Sequence, residues 1–195
     1  NGFVPTNFDG TEGYLFTACE DRPGGMTRLA VTRETDGSWT VSNAINVDFS
    51  DVNGTIINCF GSVSPWGTPL TSEENYEAEN TVRWNDASYS SGYPNYADVQ
   101  RIQQYLGGTF PNPYDYGYIV EITAPTSATP VPVKHFAMGR VAHENPIVMP
   151  DRRTVYLAGS GDSAEVSAAL TVRVPGEEWY DGDHTLVIGT PDFGP

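Results

Sequence analysis

Glycine and proline break this chain so often that only short, turn-bounded elements fit between them. The 20 glycines and 15 prolines leave no stretch that reads as a long amphipathic helix. Tyr, Trp, Val and Thr fill the intervals, which is the composition of strands joined by turns. Residues 13–50 read as a strand meander: Gly13–Ala18, a turn at Arg22-Pro23-Gly24-Gly25, Met26–Thr32, a turn at Asp36-Gly37, then Ser38–Val41. Residues 55–75 mix apolar positions with chemically useful ones. Residues 76–115 form a polar, Tyr- and Asn-rich excursion of the kind that lies over a site. Inside it, Ala97–Leu106 predicts one short helix with Val99, Ile102 and Leu106 on a narrow face, stopped by Gly107-Gly108. Strand signals return over 116–190, at Tyr116–Ile122, Val133–Val141, Arg153–Ala158 and Ala169–Val174.

The expected fold class is therefore all-β, with residues 1–195 treated as one unit and helix confined to residues near 97–106. Strands grouped in fours suggest several antiparallel blades of a partial β-propeller, although no clean repeat period is visible. No uncharged apolar run approaches the length of a membrane span, and the N-terminal Asn1-Gly2-Phe3-Val4-Pro5 lacks a basic-then-apolar leader. The expectation is a soluble mature chain whose export signal has been removed or lies elsewhere.

A formal net charge of −15 argues against nucleic acid and anionic membrane as partners, because no basic stripe exists to hold phosphates in a row. Lys134 is the only lysine. An acidic, lysine-poor composition fits a protein working in high salt, and it fits an exported calcium-binding protein equally. Cys19 and Cys59 could form one disulfide in an oxidising compartment.

The chemically dense segment is Asn58-Cys59-Phe60-Gly61-Ser62-Val63-Ser64-Pro65-Trp66-Gly67-Thr68-Pro69-Leu70-Thr71-Ser72-Glu73-Glu74-Asn75. It combines a thiol, two adjacent carboxylates and an amide. Hard cations take oxygen ligands, and a thiolate adds affinity for a softer, redox-capable ion. Thr71-x-x-Glu74 is equally the signature of a helix capping box, and Pro65 and Trp66 could be simple turn and core packing. Glu121, between Val120 and Ile122, either faces solvent on its strand or is committed to a partner, since burying it unpaired is costly. Arg140-x-x-His143-Glu144 lacks the second histidine of a zinc-protease helix, and the chain has no phosphate-binding glycine loop, no Gly-x-Ser-x-Gly elbow and no EF-hand loop.

Those residues resemble the PhoX-type alkaline phosphatases. The segment from Asn58 to Asn75 is similar to that family's Asn-Cys-x-Gly-x-x-x-Pro-Trp-Gly-Thr-x-Leu-Thr-x-Glu-Glu-Asn stretch, with Pro69 and Ser72 as departures. Upstream, Glu20-Asp21-Arg22-Pro23-Gly24-Gly25-Met26-Thr27-Arg28-Leu29 resembles its His-Glu…Gly-Gly-x-Ser-Arg-Leu stretch, with Cys19 where histidine is usual. Downstream, Tyr116-Gly117-Tyr118-Ile119-Val120-Glu121-Ile122 and Gly139-Arg140-Val141-Ala142-His143-Glu144 resemble two further family strands, and Asp162 follows weakly in a third.

The resemblance implies a β-propeller holding calcium and iron in a pocket that binds and cleaves phosphate monoesters. Carried over by position, it implies Cys59 as a thiolate ligand to iron and Glu73, Glu74, Asn75, Glu121 and Glu144 as oxygen ligands converging on the cluster. Arg140 becomes the phosphate-binding cation, and Glu121 and Arg140 the residues of catalysis. A secreted location, extracellular or periplasmic, follows from the same family, with other chains or the remainder of a longer polypeptide completing the propeller. The alternative is a non-catalytic, secreted structural or assembly subunit that keeps calcium for rigidity.

Overall fold

The computed structural model describes residues 1–74, 96–140, 142–159, 167–172 and 184–189. They form a mostly β structure of antiparallel sheets with one α-helix. Each sheet is a run of four strands consecutive in the chain. The first contains β1 (Gly2–Pro5), β2 (Glu12–Cys19), β3 (Gly25–Arg33) and β4 (Trp39–Asn46), in that order. The second contains β5 (Asn58–Val63), β6 (Pro69–Glu73), β7 (Ile119–Thr123) and β8 (Val131–Lys134). The third contains β9 (His143–Val148), β10 (Thr154–Gly159), β11 (Ser167–Val172) and β12 (His184–Gly189). Helix α1 (Tyr96–Tyr105) lies where the sequence predicts it, and no described helix is long and apolar enough to cross a membrane.

The second sheet carries the core on both faces. In β7, Val120 and Ile122 join Val4, Phe16, Met26, Val47 and Phe49 of the first sheet and its following turn. Ile119, on the opposite face, joins Leu70 of β6 with Val148, Val155 and Leu157 of the third sheet. Side chains alternate across a strand, so a strand buried on both faces must be apolar at nearly every position, and Ile119–Ile122 departs from this only at Glu121. At β3 the burial of Met26 and Arg28 skips Ala30 and resumes at Val31, at the point where β4 bulges at Ser42, the residue left without a partner between the pairs Ala30–Asn43 and Val31–Val41. β4 is exposed almost throughout, including Trp39 and Val41, as befits the outermost strand.

A third apolar cluster lies under α1. Val99 and Ile102 pack on Ile56, Ile57, Cys59 and Tyr116, with Leu106 at the margin, so the predicted helical face is the buried one. The predicted strand over 133–141 is corrected: β8 ends at Lys134, and Phe136–Met138 form a 3-10 turn. The physical reason is tertiary, since His135 turns inward to a buried carboxylate and Met138 enters the core shared with the third sheet.

Candidate metal centre

The edge strand β5 delivers Cys59, and two other segments converge on it. After β2 the chain enters a loop that docks on residues 55–57: the Gly24 N–H donates to the Thr55 carbonyl (2.7 Å) and the Ile57 N–H to the Asp21 carbonyl (2.7 Å). A Cβ at Gly24 would stand 2.0 Å from Asn58 Oδ1, so only glycine allows this close approach. Arg101 of α1 ties the loop from outside through Asp21 at 3.0 Å. From the other side, the Glu74 N–H donates to the Ile57 carbonyl at 3.1 Å, just beyond the end of β6.

The result is one thiol and two carboxylates, Cys59, Glu20 and Glu74, with ligand atoms all within 4.8 Å of one another. The Cys59 Sγ–H donates to Glu74 Oε2 at 2.5 Å. Burial, then the hydrogen bond and negative charge of Glu74, then the charge of Glu20, push the Cys59 thiol far above its ordinary range. Without a cation the proton therefore stays on sulfur. A divalent or trivalent ion would reverse that balance by offsetting both carboxylates and taking the thiolate as ligand, and the mixed S and O donor set fits such an ion. Cys19 and Cys59 are both free, Cys19 exposed and Cys59 buried, so the disulfide alternative does not hold.

The carboxylates expected to converge are instead divided among separate partners. Glu73 is fully buried, and its two oxygens receive four donors: Ile56 N–H (3.1 Å) and Lys134 Nζ (3.2 Å) on Oε1, Gly117 N–H (2.8 Å) and Tyr118 N–H (3.0 Å) on Oε2. A cation could reach it only by displacing these bonds. Burial raises the Glu73 pKa despite Lys134 and the backbone donors, and burial lowers that of Lys134. Gly117 has φ +93°, the left-handed conformation that lets two successive N–H groups face one carboxylate.

Glu121 is likewise committed. It is 3% exposed, which removes the solvated-face alternative. It accepts from Trp66 Nε1 at 2.7 Å, from the Thr68 hydroxyl, and pairs with His135 Nε2 at 2.8 Å. Gly67, at φ +88°, shapes the turn between β5 and β6 that brings Trp66 and Thr68 to it. Burial alone would raise the Glu121 pKa, but the bonds from His135, Thr68 and Trp66 outweigh it and hold the carboxyl below its ordinary value. A cation or a substrate would have to share or displace these partners to reach Glu121.

Arg140 does not present an open fork to the cluster. Its Nε donates to the Tyr116 carbonyl at 2.7 Å, its Nη2 to the Pro113 carbonyl, and its guanidinium lies 5.1 Å from the Tyr114 ring centroid. It braces the same 113–118 segment that supplies N–H groups to Glu73. Glu144 is exposed, and its backbone carbonyl accepts from Ser72 Oγ at 2.6 Å. Its neighbour His143 is fully buried, beside the Gly139 carbonyl at 3.1 Å, and burial lowers its pKa to about 4, so it is neutral at pH 7. Asn75 and Asp162 lie outside the described residues.

A family model described as alkaline phosphatase PhoX matches residues 19–166. The chain belongs to the PhoX alkaline phosphatase family. No curated protein and no solved structure matches it. The PhoX match begins one residue before Glu20 and so takes in the whole Glu20–Cys59–Glu74 cluster together with Glu121, Arg140 and Glu144.

Glu20 is the ligand-type residue that was not singled out in the sequence. Its signal was there, because the segment after β2 resembles a PhoX stretch in which a glutamate holds this place. His135 and Lys134 carried no comparable signal. Each becomes informative only when strand pairing sets Glu121 opposite Val133 and Val120 opposite Lys134.

Proposed function

We propose that this chain is the metal-binding portion of a PhoX-type phosphomonoester hydrolase, with Cys59, Glu20 and Glu74 as ligands of its calcium and iron centre. The observation that carries the reading is the buried thiol hydrogen-bonded to one carboxylate with a second within 4.8 Å, an arrangement of like charges that a cation makes favourable. The thiolate of Cys59 suits iron, and the oxygens of Glu20 and Glu74 suit iron or calcium. When bound, such ions supply charge to neutralise a dianionic ester and to stabilise the leaving oxygen. The chain's own residues supply the rest. Gly24 and Asp21 hold Glu20 in place, Glu74 Oε2 stands ready at the Cys59 proton, and α1 with Ile56 and Ile57 keeps water from the sulfur.

The same proposal reads the three meanders as consecutive propeller blades. Their first strands lie together, β5 touching both β1 and β9, and apolar layers stack the second sheet between the other two. Further blades would come from the remainder of a longer polypeptide or from other chains. Export to an extracellular or periplasmic space, where calcium is abundant, goes with this reading.

A non-catalytic subunit that retains calcium is the second reading, favoured by Arg140 being turned to the carbonyls of Pro113 and Tyr116. Hydrolysis of p-nitrophenyl phosphate after reconstitution with calcium and iron separates the two. Turnover that EDTA abolishes supports the enzyme, and tight calcium binding with no turnover and no iron supports the structural subunit.

A further inference from the structure

We infer that Glu73 and Lys134 act as a positioning pair, a buried clamp that fixes the geometry of the neighbouring cation ligands without touching the ion. The inference rests on the reading of Glu20, Cys59 and Glu74 as those ligands. Lys134 is the only lysine of the chain, and its side chain is 1% exposed against the 0% of Glu73. An acidic protein that otherwise avoids lysine places this one where hydration is lost, so the pair must be offset by what it holds together.

What it holds is specific. Oε1 of Glu73 binds the Ile56 N–H, three residues before Cys59, and Oε2 binds the N–H groups of Gly117 and Tyr118. The Glu73 N–H returns to the Tyr118 carbonyl at 3.0 Å, and the next residue in the chain is Glu74. Lys134 Nζ reaches Glu73 Oε1 at 3.2 Å and the Asp115 carbonyl at 2.5 Å, and lies 4.7 Å from the Tyr116 ring centroid. Three segments far apart in sequence are thus fastened at one carboxylate, and two of the three ligands, Cys59 and Glu74, follow closely on fastened residues. Supporting residues of this kind hold ligand atoms in register, and losing one weakens metal affinity by about ten- to a hundredfold.

The test is a cobalt(II) titration of the chelator-stripped chain, followed by the thiolate-to-cobalt charge-transfer band in the near ultraviolet. Wild type shows the band and Cys59→Ser lacks it; a wild-type chain without the band overturns the cation reading itself, and the clamp with it. Glu73→Gln is expected to weaken cobalt binding about tenfold or more while the band is still reached at saturation. Lys134→Met is expected to weaken it in the same direction. If Glu73 were itself a ligand, removing the competing ammonium would tighten binding, so tighter binding by Lys134→Met overturns the proposal. Affinity within about twofold of wild type in a folded Glu73→Gln chain does so too. Where Glu73→Gln fails to give a folded circular dichroism spectrum, Lys134→Met decides alone, because the two roles predict opposite signs.

Discussion

Cys59 and Glu121 are pushed in opposite directions by their surroundings, the thiol toward keeping its proton and the carboxyl toward losing it. The Cys59 proton is retained by burial and by two carboxylates. In the chelated protein, alkylation by iodoacetamide at pH 8 should modify exposed Cys19 well before Cys59, as read by peptide mass spectrometry. Because the folded-state pKa of Cys59 is raised, its contribution to stability is present below the unfolded value near 8.5 and is lost as pH rises above it. The melting temperature in EDTA should therefore fall between pH 8 and 10, and less steeply for Cys59→Ser. Glu121 has the opposite sign: its pKa is depressed, so its contribution is present above the ordinary glutamate value of about 4.3 and is lost as pH falls. Glu121→Gln leaves a donor facing His135, Trp66 and Thr68, and should cost about 1–3 kcal/mol by urea denaturation at pH 7, with a weaker acid slope. The carboxylates were legible as chemically special from their apolar flanks and their family setting. Which of them would face a cation was not, because Glu73 and Glu74 are adjacent in sequence and are separated only by strand direction and by partners drawn from residues 56, 117, 118 and 134.

At the scale of elements, turn chemistry and alternation carried most of the information. Gly13–Ala18 and Met26–Thr32 fall within β2 and β3, and the helix expected over 97–106 is found at Tyr96–Tyr105. The failure over 133–141 has a cause outside local pattern: a strand-like run is ended because His135 bonds to Glu121 and Met138 fills the space beside Leu70 and Ile119. Helix α1 is short, and most of its stability comes from the apolar face laid on Ile56, Ile57 and Cys59. Ile102 is 0% exposed, so Ile102→Ala should cost about 2–5 kcal/mol in chemical denaturation. The same substitution should accelerate alkylation of Cys59 in the chelated protein, since it opens the cover over the sulfur. An unchanged alkylation rate would mean that α1 does not shield the thiol.

For the whole molecule, charge and metal are two sides of one problem. A net charge of −15 opposes compaction, and carboxylates gathered at Glu20 and Glu74 concentrate that repulsion beside a buried thiol. Salt screens exposed charges over about 10 Å at 0.1 M and 3 Å at 1 M, so the chelated chain should melt at a higher temperature in 1 M sodium chloride than in 0.05 M. Bound cations act locally where salt does not, and the metal-loaded chain should gain less from added salt than the chelated one. The most direct test of the cation centre is elemental analysis of the wild-type and Cys59→Ser chains, each reconstituted with calcium and iron and assayed on p-nitrophenyl phosphate in parallel. The account predicts iron and calcium in the wild type, with iron and hydrolysis lost together in Cys59→Ser while the circular dichroism spectrum is kept. A Cys59→Ser chain with full iron content and full rate would contradict it.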